Sequence, residues 1–236
     1  MAKPKYKIVR LDHIKVEQAF DREAELLKQI QNGSLSQCLL LWRPADQTVV
    51  LPASKKWLAH PELVTQLHTS GWDIVSRRTG GAPVPQNAGV INVSHIYLWD
   101  HQEPYSTGLA YQALCRALGL FFQSYGLEVD IHATPSSYCD GDYNLNINGQ
   151  KIVGTAQRVM MKSNQEKIVL AQACILIEAD FETLVQPVNL CNRLNQNGDL
   201  VSAAVHTSLA QHLGELPTTE ALFQRMVQAF VVCQNT

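Results

Sequence analysis

Cys139 stands out among the six cysteines of this 236-residue chain because its neighbours are polar, in the run SSYCDGDYN. Cys38, Cys115, Cys174 and Cys233 lie in apolar stretches such as QCLLLW and AQACILI, where a small buried hydrophobe is the ordinary expectation. Twelve positions after Cys139 comes Lys151, just past an Asn148-Gly149 pair that is a strong two-residue hairpin signal. If the chain folds back there, the lysine returns toward the start of the partner strand and so toward the cysteine. An ammonium beside a thiol favours the thiolate. The same ammonium could hydrogen-bond the oxygen of a thioester as negative charge develops on it. The two residues together suit nucleophilic acyl transfer. An exposed hairpin lysine is the plainer alternative. No histidine is adjacent in sequence; His95 and His132 could approach in space, though each reads equally well as structural.

A second segment, Arg77-Arg78-Thr79-Gly80-Gly81-Ala82-Pro83, follows the strand-like WDIV. Glycines at a strand end let backbone N–H groups approach an anion or a carbonyl, because no Cβ stands in the way. Taken alone it could equally be a surface loop with solvated arginines. After Lys151 the small residues Gly154-Thr155-Ala156 suggest a strand that another backbone or a narrow ligand passes closely.

The elements that must position these residues follow from periodicity. Val16 to Ile30 carries apolar residues at helical spacing and stops at Asn32-Gly33. Cys38–Trp42 and Thr48–Leu51, separated by RPADQ, read as an antiparallel hairpin. A short helix over Pro61–His68 leads through Gly71 to WDIV, and Val90–Trp99 reads as a strand. Thr107–Tyr125 reads as a long helix that buries Leu109, Leu114, Leu118 and Phe122 and closes at Gly126. LEVDIH, YNLNING, KIVGTAQRVM and KIVLAQACILI are strand-like, which implies a mostly antiparallel sheet. FETLVQPVNL, SLAQHLG and TTEALFQRMVQAFVV read as outer helices. The expected architecture is α+β, a single mixed domain over 1–236 whose central sheet is flanked by helices.

A composition that is 46% hydrophobic supports a substantial core, and a formal net charge of −2 gives no general attraction to nucleic acid or an anionic membrane. The start, MAKPKYKIVRLDHIKVEQ, has early lysines but no apolar run, so it does not read as a signal peptide, and no window has the length of a membrane span. Cysteines without CxxC pairs suit a reducing compartment, so the expected location is cytoplasmic, with no metal site.

Three segments together resemble the superfamily of lipoate-protein ligases, octanoyltransferases and biotin-protein ligases: RRTGGAPVPQNAGVINVS, KIVGTAQR and SSYCDGDYNLNINGQ. The third is similar to the cysteine-dependent amidotransferase branch, in which Ser-Tyr-Cys-x-Gly-x-Tyr precedes an Asn-Gly hairpin and a lysine. The resemblance spans about residues 37 to 177. It implies a fold like that of class II synthetases, catalytic roles for Cys139 and Lys151, and substrate contacts by Arg77, Gly80, Gly81, Asn92, Gly141, Gly154 and Gln157. It also implies transfer of an octanoyl or lipoyl group through a Cys139 thioester, with an apolar tunnel around Val90 and Val153. The implied donor is an H protein, an acyl carrier protein or coenzyme A; the implied acceptor is a lysine on a lipoyl domain of a 2-oxoacid dehydrogenase.

The transferase reading needs no cofactor. The alternative is an ATP-dependent lipoate ligase using magnesium and an acyl-adenylate, with Cys139 incidental. Ala82 where many ligases have a third glycine, and Gln86-Asn87 where they have His-Asp, make the loop less suited to ATP and magnesium, an ion that prefers carboxylate oxygens. Asn144 replaces an aspartate common in the superfamily. A third reading is a non-catalytic relative that binds a carrier protein. A rim containing Lys55, Lys56, Arg77 and Arg78 could steer an acidic partner domain.

Overall fold

The computed structural model describes residues 6–99, 104–162, 166–197 and 200–234; the first five residues of the start discussed above lie outside this set. A seven-stranded sheet is built from β1 (Tyr6–Ile14), β2 (Gln37–Pro44), β6 (Val90–Leu98), β7 (Asp130–Ile131), β8 (Leu145–Ile147), β9 (Gln150–Met161) and β10 (Lys167–Leu176). Its order is β1-β2-β6-β10-β9-β8-β7. A three-stranded sheet, β4-β3-β5, contains β3 (Thr48–Leu51), β4 (Asp73–Ser76) and β5 (Val84–Gln86). The helices are α1 (Val16–Gln31), α2 (Pro61–Thr69), α3 (Thr107–Gln123), α4 (Phe181–Leu194) and α5 (Thr219–Gln234). No described helix is long and apolar enough to cross a membrane.

The large sheet is apolar on both faces, and the alternation of side chains along β2 divides it. Cys38, Leu40 and Trp42 pack with Val16, Leu26 and Ile30 of α1, while Leu39 and Leu41 pack with α3 and α5. A third cluster joins the small sheet to α2 and α4. All pairings in the large sheet are antiparallel except β1 with β2, which α1 connects as a crossover.

Four expectations need correction. β2 and β3 are not a hairpin: both edges of β2 are taken, by β1 and β6, and β3 pairs with β4 and β5 in the other sheet. Leu109 is exposed, in the first turn of α3, whereas Leu114, Leu118 and Phe122 are buried. LEVDIH contributes only the two residues of β7, and SLAQHLG only the 3-10 turn Leu209–Gln211.

Candidate active site

Lys151 is fixed by regular structure. Asn148 and Gly149 have φ of 52° and 78°, the left-handed pair that a tight hairpin turn requires. Ile147 pairs with Gln150 and Asn146 with Lys151 across it. The lysine side chain is fully buried. Its Nζ donates to the carbonyl oxygens of Tyr138 and Cys139, the latter at 3.0 Å, and to Ser137 Oγ at 3.5 Å. Those three acceptors use all three ammonium protons. Nζ also stands 4.6 Å from the centroid of the Tyr138 ring, whose face attracts a cation. None of these partners is a carboxylate. Burial accordingly pushes the ammonium down to about 8, against the opposing pull of Cys139, Cys174 and Asp140.

Cys139 is held differently. It is half-buried in the irregular segment between β7 and β8, where it and Ser136 have positive φ, 50° and 64°. That conformation is uncommon for residues with a side chain and clusters at functional sites. Polar bonds tie the segment down: Thr134 N donates to Asp140 Oδ1 at 2.6 Å, Thr134 Oγ1 to Asn146 Oδ1 at 2.6 Å, and Asn144 Nδ2 to Cys139 O at 3.5 Å.

Two glycines make room where these parts meet. A Cβ at Gly81, whose φ is 109°, would lie 2.8 Å from both Cys139 Sγ and Arg77 Nη2. Arg77 Nη2 in turn donates to the carbonyls of Gly80 and Ala82 at 2.8 and 3.0 Å, which fixes the turn. A Cβ at Gly154 would lie 3.2 Å from Lys151 Cε and 3.3 Å from Nζ. The result is a cavity of about 60 Å³ lined on this side by Arg77, Gln86, Asn92, Tyr138, Cys139 and Gly154. Gln86 and Asn92 bond each other reciprocally, at 2.7 and 3.2 Å.

Around this cavity several buried polar atoms lack a partner among the described residues: Arg77 Nε, Tyr138 OH, Asn144 Oδ1 and His206 Nε2. Buried groups in that state are the ones a ligand or water satisfies. His206 stacks on Tyr138 with ring centroids 4.8 Å apart. Its Nδ1 faces Ser202 O at 2.9 Å, so that nitrogen carries the proton. Burial, and then the nearby Lys151 charge, push the ring down to about 4 and keep it neutral.

Of the residues singled out from sequence, Cys139, Lys151, Arg77, Gly81, Asn92 and Gly154 come together here. Lys151 and Gly81 adjoin Cys139 without lining the cavity, and three more of the residues do not line it either. Gly80 contributes its carbonyl to Arg77. Gly141 makes a turn in which its carbonyl accepts from Asn144 N. Gln157 points away to dock α3, donating to Thr107 O at 3.0 Å. Val90 and Val153 are themselves core residues of separate clusters, while their strand neighbours Asn92, Val93, Gly154 and Thr155 line the cavity. His95 is half-buried against Gln37 and Tyr97, and His132 bonds the Ala133 carbonyl, so neither serves the thiol as a base here. Sequence reasoning passed over Tyr138, though it adjoins Cys139. It also passed over His206, for which no local pattern exists.

The description of the lipoyl protein ligase A/B catalytic domain matches residues 15–231. The chain belongs to this family. An octanoyl-[GcvH]:protein N-octanoyltransferase from Geobacillus kaustophilus is 28% identical over 163 residues, 67% of this chain and 57% of that protein. The chain spans between about a third and three fifths of the length of the curated relatives it matches first. Among solved structures, protein Ta0514 from T. acidophilum with bound lipoic acid aligns with a TM-score of 0.72 at 14% identity, over 98% of this chain and 86% of that one. Lipoate-protein ligase A bound with ATP aligns with the same TM-score and identity, over 98% and 85%. At such identity these two establish the fold, an α+β architecture shared with lipoate-protein ligases.

Proposed function

We propose that this chain is one catalytic domain that moves an octanoyl or lipoyl group between carrier proteins through a thioester on Cys139. The observation that carries this reading is a half-buried cysteine whose carbonyl is held by a fully buried ammonium that has no carboxylate among its hydrogen-bond partners. The Cys139 thiolate attacks the acyl carbonyl on the donor lysine. The C–S bond forms, the C–N bond breaks, and the donor amine leaves with a proton. A lysine amine of the acceptor then attacks the thioester and regenerates the thiolate. Lys151 has two roles: it fixes the Cys139 carbonyl and it supplies positive charge where the oxyanion develops.

The names of the relatives support an H protein as donor; a lipoyl domain is the proposed acceptor. In the transferase reading Arg77 and Gly81 shape the head of the pocket, Asn92 and Gly154 its walls, and no cofactor takes part. The decisive experiment incubates the protein with octanoyl-H protein and weighs the intact chain. An added octanoyl mass on the wild type that is absent from Cys139→Ala, together with loss of transfer, is the expected result. Full transfer by Cys139→Ala, with acyl-adenylate formed from lipoate, ATP and magnesium, would replace it with the ligase reading.

A further inference from the structure

The loop that presses on Cys139 and the segment that carries Cys139 hang from different sheets. The loop, residues 77–82, follows β4 and is tied to β3 and the residues just after it: Arg77 N donates to Leu51 O and Ala53 N to Thr79 O, each at 2.9 Å. Arg77 Nη2 closes the turn on itself through the Gly80 and Ala82 carbonyls. Cys139 is instead anchored to β8 and β9 of the large sheet, by Lys151 at its own carbonyl and by Asn146 at Thr134. The two nevertheless meet closely, because a Cβ on Gly81 would stand 2.8 Å from Cys139 Sγ. How the sulfur sits against the loop therefore depends on bonds that join the loop to the large sheet.

Two side-chain bonds do so among the described residues. Arg158 Nη1 of β9 donates to Arg78 O at 3.4 Å, a long bond. Thr79 Oγ1 donates to Gln172 Oε1 of β10 at 3.0 Å, and Thr79 is buried. Gln172 is itself held. Its Nε2 donates to Glu23 Oε2 at 2.6 Å, and Ser94, its register partner on β6, donates from Oγ to the same oxygen at 2.5 Å. An ionised carboxylate only accepts, so the amide must turn its nitrogen to Glu23 and its oxygen to Thr79. Glu23 reaches in from α1 and is the charged member of this chain of bonds. Ser94 and Gln172 line the cavity beside Cys139; Glu23 stands behind them and does not.

We infer that Glu23 is a positioning residue for acyl transfer: through Gln172 and Thr79 it sets the 77–82 loop, and with it Gly81, against the sulfur of Cys139. The inference rests on the acyl-thioester reading above. Octanoyl-N-acetylcysteamine is a suitable probe: the Cys139 thiolate attacks its carbonyl, N-acetylcysteamine leaves as a thiolate that takes a proton from water, and intact mass reports the octanoyl group that remains. A misplacement of ~1 Å can cost ~10²-fold in rate, so a loosened loop in Glu23→Ala should lower the saturating loading rate about tenfold. The half-saturating probe concentration should stay close to that of the wild type, because Glu23 does not touch the cavity. Glu23→Gln keeps the length and an acceptor oxygen and should recover most of the lost rate. Thr79→Val should also lose about tenfold, and combining it with Glu23→Ala should lose no more than either alone, because both cut the same chain of bonds. Glu23→Asp, whose carboxylate is drawn back by one methylene, takes the place of the alanine variant if thermal unfolding shows that variant to fold poorly. Losses that multiply to about a hundredfold in the double variant, or single variants that load as fast as the wild type, overturn the inference while the adduct on the wild type leaves the thioester reading intact. Absence of an adduct on the wild type removes both.

Discussion

The hairpin that carries Lys151 and the segment that carries Cys139 face each other and are built by opposite means. Around Lys151 the backbone is held by regular pairing: β8 pairs with β9, Lys151 bridges to His206, and β9 pairs with β10 from Val153 to Met161. Around Cys139 no strand pairs; side-chain bonds from Thr134, Asp140, Asn144 and Asn146 take the place of a ladder. The lysine bridges the two, because its ammonium binds the carbonyls of Tyr138 and Cys139. The difference suggests a division of labour. The sheet sets where the charge is, and the charge sets where the nucleophile is. Such a loop can adopt a backbone that a sheet forbids, including the positive φ of Cys139.

Removing the bridge should have the largest effect. Lys151→Met leaves the Tyr138 and Cys139 carbonyls without their buried donor, at ~1–3 kcal/mol each, partly offset because a charge no longer has to be desolvated. A net loss of about 1–2 kcal/mol should lower the unfolding midpoint by ~2–8 °C at ~2–4 °C per kcal/mol in a chain of this size. Acyl transfer should fall by ~10²–10³, the scale of losing electrostatic stabilisation of the oxyanion. Calorimetry beside a transfer assay separates the two losses. Transfer within threefold of wild type would mean that the loop holds Cys139 without help and that the charge takes no part.

Titration tests the same bridge without mutation. Lys151 in the folded protein sits at about 8, below the ordinary 10.5, because it is buried. Between those values the unfolded chain binds the extra proton, so stability should rise with pH from about 8 toward 10.5, and the full burial penalty should apply below about 8. Transfer should move the other way, falling above about pH 8 as the ammonium is lost. Lys151→Arg, whose guanidinium stays charged, should lack that limb even if its overall rate is low. A wild-type rate still rising at pH 9.5 would detach the charge from the chemistry.

The contrast between the two regions also explains what the sequence disclosed. Asn148-Gly149 announces its turn by residue type alone, and the turn brings Lys151 back toward Cys139, so the pair was legible from twelve residues of chain. Partners chosen over longer distances were not. β2 and β3 look like a hairpin locally, but β2 is claimed on both edges by strands far away in sequence. His206 reaches the site through a bridge to Lys151 and through Thr207 N donating to Lys151 O at 2.9 Å, contacts that leave no periodicity to read. Gln157 was placed in the site because its strand is; its side chain turns instead to the start of α3.

The smallest expected effect concerns the second tie between the regions, Asn146. It stands directly opposite Lys151 in the hairpin register and is fully buried. Its Oδ1 accepts from Thr134 Oγ1 at 2.6 Å, and its Nδ2 donates to His132 O at 3.0 Å, so one ladder residue holds the start of the cysteine segment. Asn146→Ala strands a buried hydroxyl and a carbonyl and should cost about 1–3 kcal/mol of stability. Because Lys151 still grips the carbonyls of Tyr138 and Cys139, transfer should fall only about threefold, and hydrogen exchange should quicken at residues 132–137 more than at 145–153. If exchange quickened equally in both, the ladder would depend on the loop as much as the loop depends on the ladder. The hairpin could then no longer be treated as the fixed partner.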